Sequence, residues 1–217
     1  MADFDLVIFD WDGTLMDSVA QIVRSVKAAA QDLDVPEPSD AAARDIIGLG
    51  LPEAMRVLFP QVPEAERLAL RQRYAHHFVA GTGGRSQPFA GAETLLQALR
   101  GQGRQLAVAT GKTRIGLDRV LGDTGWQDYF AATRCADETA SKPDPLMLRE
   151  LLIELDVPVG RALMIGDTTY DLAMAEAIGM ASIGVTYGVH APERLLAHAP
   201  LALCDSVDAL AVRLASL

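Results

Sequence analysis

The chain has 217 residues, 50% of them hydrophobic, and its 19 Lys and Arg against 29 Asp and Glu give a formal net charge of −10. This composition excludes a disordered chain, which needs low hydrophobicity with high charge, and disfavours broad binding to nucleic acid, which needs a basic face. No run approaches the roughly 20 apolar residues of a membrane-spanning helix, and the first residues are acidic. We therefore expect a cytoplasmic protein without nucleic-acid or membrane partners.

Short β-rich runs alternate with helical patterns over most of the sequence. The predicted strands are 6–9, 106–109, 131–135, 163–165 and 181–185, and 201–204 is a candidate edge strand. Such alternation is typical of a parallel sheet with helices on both faces. The sequence thus predicts an α/β fold with a Rossmann-like, doubly wound parallel sheet.

The segment between the first two predicted strands has a different character. Residues 18–84 predict successive helices without a strand, among them 18–33, 52–59 and 63–79, and the prolines at 52 and 63 suit a first helical turn. Because the segment is too long for a crossover, we predict a helical domain over 18–84, inserted into a core domain formed by 1–17 and 85–217. Two hinges, at 15–17 and in the glycine-rich stretch 81–88, would join them.

Polar residues collect where the predicted strands end. These residues are Asp10, Asp12, Gly13, Thr110, Gly111, Lys112, Lys142, Asp167 and Asp171. Ligands of open parallel sheets bind beyond the carboxyl ends of the strands, where loops and helix N-termini converge. Carboxylates of this kind suit Mg²⁺, which often uses one or two protein carboxylates together with a substrate phosphate. The cluster therefore indicates a magnesium site for a phosphate ester.

Each of these groups also has a purely structural explanation. A sequence such as Asp10-x-Asp12-Gly is common in tight turns. Asp144 and Pro145 read as the N-cap and first residue of a helix, and a lysine just before a helix is usually solvated. Helix capping accounts for one of Asp167 and Asp171. The combination at neighbouring strand ends, rather than any single group, favours a functional site.

Four stretches resemble the motifs of the haloacid dehalogenase-like phosphohydrolases, and the resemblance extends over nearly the whole chain. The stretches are Asp10-Trp11-Asp12-Gly13-Thr14, Thr110-Gly111-Lys112, Lys142-Pro143 and Gly166-Asp167-Thr168-Thr169-Tyr170-Asp171. The helical insertion between the first two motifs is similar to the cap of the phosphoglycolate phosphatase-like subgroup. Asp12 argues against dehalogenation, because the true dehalogenases of the family lack an acid at that position.

The resemblance implies a Mg²⁺-dependent phosphatase that hydrolyses a small phosphate monoester, phosphoglycolate-like or a sugar phosphate, through an aspartyl-phosphate. It implies that Asp10 is the nucleophile and Asp12 the general acid and base. Thr110, the amide of Gly111 and Lys142 would hold the phosphoryl oxygens, with Gly13 in the same substrate-binding set. The implied metal ligands are Asp10, Asp12, Asp167 and Asp171, with Asp12 binding through its backbone carbonyl. Asp171 would either reach the ion or orient Asp167 and a bound water.

A loop of the predicted cap is the candidate contact to the leaving group. In the stretch 46–51, the glycines allow close approach of the backbone to a small substrate, so we expect contacts from Gly48, Leu49 and Gly50. An ordinary turn between two helices explains the same residues. The cap is expected to close over the site and exclude water.

Other activities of the same residues stay open. A phosphomutase or an inorganic pyrophosphatase of the same superfamily would use the same Asp10 and Asp12. A signalling module that accepts phosphate on an aspartate is disfavoured, because such modules need neither the helical insertion nor an acid at position 12. The expected partner is a small phosphorylated metabolite, and the expected state is a monomer or a homodimer.

Overall fold

A parallel sheet forms the centre of the structure, a computed structural model that describes residues 4–81 and 84–217. The strands are β1 (Leu6–Phe9), β2 (Met16–Asp17), β3 (Gln87–Pro88), β4 (Gln105–Thr110), β5 (Ala132–Cys135), β6 (Ala162–Gly166), β7 (Ala181–Val185) and β8 (Leu203–Cys204). The helices are α1 (Val19–Asp32), α2 (Asp40–Asp45), α3 (Leu51–Leu58), α4 (Glu64–Ala80), α5 (Ala92–Gly101), α6 (Arg114–Thr124), α7 (Leu146–Glu154), α8 (Thr169–Glu176), α9 (Pro192–Leu196) and α10 (Val207–Ala215).

The large sheet has the strand order β5-β4-β1-β6-β7-β8, and all of its pairs are parallel. The chain adds β4 and β5 on one side of β1 and then returns to add β6, β7 and β8 on the other. This reversal beside β1 is the kind of switch point at which open α/β sheets bind ligands. The predicted doubly wound fold is confirmed, with the strand limits within two residues of those expected from the sequence.

The central strand β1 is buried on both faces, which explains its uninterrupted apolar sequence. Val7 and Phe9 join an apolar cluster with residues of α5, α6 and α10. Leu6 and Ile8 join a second cluster with residues of α7 and α8 on the opposite face. Because helices cover both faces, the polar residues that follow β1 can reach solvent or substrate only at the end of the strand.

Helices α1 to α4 surround an apolar cluster of their own, which includes Val26, Met55, Leu70 and Phe78. The limits of α1, α3 and α4 lie within one residue of those predicted. Helix α2, only six residues long, was not predicted. The separate cluster supports our proposal that 18–84 is a cap domain inserted into a core formed by 1–17 and 85–217. None of the described helices is long and apolar enough to cross a membrane.

The two connections between cap and core run side by side. Strands β2 and β3 form an antiparallel pair in which Met16 lies opposite Pro88 and Asp17 opposite Gln87. This pair was not predicted, because two-residue strands leave no periodic signal. It lies within the two segments interpreted as hinges; of these, Thr82 and Gly83 fall outside the described residues.

Candidate active site

The ends of three neighbouring strands bring the predicted site residues together. Phe9, the last residue of β1, pairs with Val108 of β4 and with Ile165 of β6. The amide of Asp10 continues this pairing by donating to the carbonyl of Ile165 at 2.9 Å. Residues that follow these strands are therefore neighbours at one edge of the sheet.

Three carboxylates form a buried triad at this edge, which we call the acidic triad. Asp10, Asp167 and Asp171 each place one carboxylate oxygen within 4.8 Å of the others. The Nζ of Lys142 lies 2.5 Å from Oδ1 of Asp10 and 2.6 Å from Oδ1 of Asp171. All four side chains are shielded from solvent. Three acids and one lysine leave an excess of negative charge when ionised, which a divalent cation would balance.

Hydrogen bonds fix the orientation of two members of the acidic triad. Asp167 accepts from the hydroxyl of Thr14 at 2.9 Å and from the amide of Val189 at 2.8 Å. Asp171 accepts from the hydroxyl of Thr168 at 2.7 Å and from its amide at 3.1 Å. The bond from this amide and the bond from the amide of Asp171 to the hydroxyl of Thr168, at 3.4 Å, form a capping box at the start of α8. Capping and a place in the triad are therefore compatible roles for Asp171.

Asp10 differs from the other two because Oδ2 is buried and has no hydrogen-bond partner within the described residues. Burial raises the pKa of Asp10 to about 7; Lys142 opposes this shift, and Asp171 adds to it. Burial also raises the pKa of Asp167 well above its ordinary value. A buried carboxylate oxygen without a partner fits a hard cation, which favours the ionised form. Asp10, Asp167 and Asp171 thus fit Mg²⁺.

Lys142 owes its position to the loop before α7. The helix begins at Leu146 with Pro145 as its N-cap, one residue later than predicted. Asp144 still accepts from the amide of Leu146, at 2.9 Å, which explains why its sequence resembles an N-cap. Lys142 itself is only 1% exposed, so the solvated-lysine explanation is wrong, and its charge acts on the triad.

The carboxylate of Asp12 lies outside the acidic triad. It accepts from the hydroxyl of Ser18 at 2.6 Å, and its Oδ2 lies 2.9 Å from Nζ of Lys112. Ser18 is the N-cap residue of α1, so Asp12 is held where the core joins the cap. Asp10 and Asp12, which are separated by one residue, therefore lie in different surroundings. For Asp12 we still propose contact with the metal through the backbone carbonyl only.

Two glycines allow close contacts around the triad. Gly13 has a φ of +88°, and a Cβ there would lie 2.2 Å from Oδ2 of Asp167. A Cβ on Gly111 would lie 2.4 Å from the carbonyl oxygen of Leu49 and 2.6 Å from that of Gly48. The buried hydroxyl of Thr110 accepts from the amide of Lys112 at 3.2 Å. These positions bring backbone groups close to the space beside Asp10.

The cap loop between α2 and α3 lies against the core, so it is more than a turn between two helices. Gly50 donates its amide to the hydroxyl of Ser141 at 2.8 Å, and Gly48 adopts a φ of +102° next to Thr168. Gly48 and Leu49 line a cavity that also contains Asp10 and Asp12. Gly50 contacts the core through Ser141, whereas Gly48 and Leu49 line the cavity; contact of the three residues with a substrate stays a prediction.

A second contact between cap and core was not expected from the sequence. Asp45, the last residue of α2, forms an ion pair with Arg194, and its Oδ1 lies 3.3 Å from Nε2 of His190. The carbonyl of Asp45 accepts from the hydroxyl of Tyr170 at 2.9 Å. Burial lowers the pKa of His190, and Arg194 acts in the same direction. We call this group the Asp45 latch, because it holds α2 against the core.

The cavity beside Asp10 and Asp12 has a volume of about 220 Å³. Its cap side is apolar, with Ile22, Val26, Ile47, Leu49, Met55 and Val79 among the lining residues. Its polar lining, apart from the two aspartates, includes Tyr74, Lys112 and Arg119. The volume and the largely apolar wall suit a small ligand.

Sequence reasoning gave no role to several residues that orient the site. Thr14, Ser18, Thr168 and Val189 hold the carboxylates through hydrogen bonds. Thr14 and Thr168 stand within the recognised motifs, and an N-cap signal marks Ser18 and Thr168. Val189 acts through its backbone amide, which carries no signal in the residue type.

Comparison with known proteins finds one matching family, similar phosphatases and a similar solved structure. The family described as haloacid dehalogenase-like hydrolase matches residues 7–185. The chain is 38% identical to a probable phosphatase IndB of Dickeya dadantii, over 93% of this chain and 89% of that protein. It is 35% identical to a plasmid-encoded phosphoglycolate phosphatase of Cupriavidus necator, over 94% of this chain and 90% of that protein. The crystal structure of a predicted phosphatase from Clostridium acetobutylicum superposes with a TM-score of 0.87 at 27% identity, covering 99% of this chain and 100% of that one.

Proposed function

The chain belongs to the haloacid dehalogenase-like hydrolases, and we propose that it is a Mg²⁺-dependent phosphatase acting on a small phosphate monoester, phosphoglycolate-like or a sugar phosphate. The main support is the carboxylate of Asp10. Its Oδ2 is buried and unpaired within the described residues, it stands among two further acids and Lys142, and the residue lines the cavity. The similarity to named phosphatases supports the same activity.

In the proposed first step, one carboxylate oxygen of Asp10 attacks phosphorus, and the ester oxygen leaves. Asp12 donates a proton to that oxygen, so the leaving group departs as an alcohol. The hydroxyl of Thr110, the amide of Gly111 and Lys142 hold the phosphoryl oxygens while charge shifts between them. Magnesium bound by Asp10, Asp167 and Asp171 would supply positive charge that lowers the repulsion between substrate and carboxylates.

In the proposed second step, water attacks the aspartyl-phosphate. Asp12, now ionised, takes a proton from this water, and inorganic phosphate leaves Asp10. Ser18 and Lys112 hold the carboxylate of Asp12 beside the cavity, which supports its use in both steps. The apolar cap wall limits the entry of other water molecules during the first step.

A phosphate-release screen tests this function. The purified chain is assayed with phosphoglycolate, sugar phosphates, nucleotides and pyrophosphate, and substrates are ranked by kcat/KM with Mg²⁺ and with excess chelator. We expect phosphate release from a small ester, reversible loss of activity in chelator, and a covalent phosphate that hydroxylamine removes. Undiminished turnover in excess chelator, or no turnover of any phosphate compound, would contradict the proposal.

The nature of the product separates the remaining alternatives. A phosphomutase would return an isomerised sugar phosphate without stoichiometric phosphate, whereas a pyrophosphatase would rank pyrophosphate first. Steady turnover of an ester excludes a signalling module. The cytoplasmic location and the monomeric or homodimeric state stay predictions, to be checked by fractionation and by light scattering.

A further inference from the structure

Two cavities meet at one cluster of side chains next to Asp12. The substrate cavity of about 220 Å³ and a neighbouring cavity of about 420 Å³ share Asp12, Phe78, Lys112 and Arg119 in their linings. The ring of Phe78 is only 7% exposed, and the carbonyl of the same residue accepts from Nε2 of Gln21 at 2.7 Å. This aromatic ring therefore has a fixed place at the edge of the substrate cavity.

Two cations lie over the ring of Phe78. The Nζ of Lys112 is 4.7 Å from the ring centroid, and Cζ of Arg119 is 5.5 Å from it. Contacts of this length are attractive, because the face of the ring is negative. Phe78 comes from the cap, whereas Lys112 and Arg119 come from the core, so the contact brings both cations to the junction where a substrate would be enclosed.

The two cations differ in their other contacts. Lys112 forms an ion pair with Asp12 at 2.9 Å. Arg119 is half-buried, and its guanidinium has no ion pair or hydrogen bond to residues 4–81 or 84–217. A guanidinium offers five N–H donors, and its attraction for an anion increases when it is partly removed from water. Arg119 thus has unused binding capacity at the wall of the substrate cavity.

Tyr74 adds a neutral donor to the same wall. It lines the substrate cavity, and its hydroxyl makes no hydrogen bond in the part of the chain that is described. Burial raises the pKa of Tyr74; Asp12 acts in the same direction and Arg119 against it, so the phenol stays protonated beside both groups. Lys112 and Arg119 can only donate, and the hydroxyl of Tyr74 can donate as well, so all three side chains offer hydrogen-bond donors to the cavity.

We propose that Lys112, Arg119 and Tyr74 bind a second anionic group, located on the leaving-group side of the substrate. The favoured substrates are then small phosphate esters of a hydroxy acid, or compounds with a second phosphate, rather than sugar phosphates, whose leaving group is uncharged. The apolar remainder of the wall would leave the hydroxyls of a sugar unpaired, which is costly. The cavity is also smaller than the roughly 300–1,000 Å³ typical of sites for larger ligands. This inference rests on the proposed phosphatase function.

The test compares substrates whose leaving groups differ in charge, together with one much larger substrate. Wild type, Arg119→Met and Arg119→Lys are assayed for kcat/KM with phosphoglycolate, 2-hydroxyethyl phosphate, pyrophosphate and a nucleoside monophosphate. We expect wild type to have a higher kcat/KM for substrates with a charged leaving group than for 2-hydroxyethyl phosphate. Arg119→Met should lower this ratio by about 10- to 100-fold, as expected for loss of a hydrogen bond to a charged group. Arg119→Lys should recover part of the preference. The ranking of phosphoglycolate against pyrophosphate then identifies whether the second group is a carboxylate or a phosphate.

Arg149→Met is the matched control, because Arg149 is exposed on α7 and does not line the cavity. It should keep the wild-type preference. The inference is overturned if Arg119→Met lowers kcat/KM equally for substrates with charged and with uncharged leaving groups, as loss of a structural role would. It is also overturned if the variant keeps the full preference, or if a nucleoside monophosphate ranks first. Thermal unfolding of each variant separates a folding defect from a binding defect. Turnover without charge preference overturns only this subsite, whereas no turnover of any ester overturns the phosphatase function as well.

Discussion

The core side and the cap side of the cavity are built from different kinds of contact. On the core side, Asp10, Asp167, Asp171 and Lys142 are buried, and short ionic hydrogen bonds join Lys142 to Asp10 and to Asp171. On the cap side, the cavity wall is mostly apolar, and the cap loop is held by single contacts such as that of Gly50 with Ser141. The charged groups are thus held in position without substrate, and we expect the wall on the cap side to be displaced more easily.

This difference follows from where the residues are attached. The acids follow strands at the centre of the sheet, and moving them would expose apolar clusters on both faces. The cap has its own apolar cluster, so it can move as a unit without unfolding. Substitutions on the core side should therefore affect the chemical step strongly, and those on the cap side should affect enclosure of the substrate more weakly.

The largest effect is expected from Asp10→Asn. The amide is similar in size to the carboxylate but is not a nucleophile, so the activity should fall on the order of 10⁴-fold or more. Lys142 keeps its ion pair with Asp171, and the fold should remain intact. Phosphate release and hydroxylamine-sensitive labelling measure the result, and normal labelling would show that another residue is the nucleophile.

Asp12→Asn is the comparison variant for Asp10→Asn. The carboxylate of Asp12 lies outside the acidic triad, so the variant should keep metal binding while both half-reactions slow by about 10²- to 10⁴-fold. Rapid-quench measurement of phosphoenzyme formation and breakdown checks both steps. If only one step slows, Asp12 does not serve as both acid and base.

Gly111→Ala should disturb the contact between the two sides without removing a catalytic group. The new Cβ would lie 2.4 Å from the carbonyl of Leu49, so the cap loop must move away, and kcat/KM should fall on the order of 10²-fold, as expected for a displacement of about 1 Å. Gly101→Ala is the control, since a Cβ at Gly101 meets no atom within 4 Å. Wild-type kcat/KM for Gly111→Ala would show that the loop does not rest there during turnover.

Magnesium affinity should increase with pH on the core side. Burial raises the pKa of Asp10 to about 7, so below that pH the metal-free site holds a proton that the cation must displace. The apparent Kd should fall about tenfold per pH unit for each displaced proton and level off once the carboxylates are ionised. Calorimetric titration with Mg²⁺ between pH 5.5 and 8 measures this, and a constant Kd over that range would contradict it.

The smallest effect is expected from Asp45→Asn in the latch. The side chain of Asp45 is 49% exposed, and exposed ion pairs contribute about 0.2–1 kcal/mol, so KM should rise at most about fivefold. The carbonyl that accepts from Tyr170 is kept. Asp40→Asn is the matched control on the same helix, because Asp40 pairs with Lys27 inside the cap. Equal KM values for the two variants would show that the latch charge does not hold the cap.

Sequence patterns accounted for most of the fold, because the signals were repeated along the chain. Six apolar runs alternating with helices defined the sheet, and prolines marked the starts of two of the cap helices. Short elements were missed: α2, β2 and β3 are too brief for periodicity to appear. Of the site, the four motifs gave the acids and Lys142, but not the hydrogen bonds from Thr14, Thr168 and Val189 that orient them.

The sequence by itself determined the order of the elements and the chemical types of the site residues, since both are written as local patterns of apolar and polar side chains. The tertiary structure alone decided which charges face each other. Asp10 and Asp12 are two residues apart, yet one contacts Lys142 and the other Lys112, 132 and 100 positions further along the chain. Charge pairing depends on distance in space and on removal from water, and both arise only when distant strands and the cap come together.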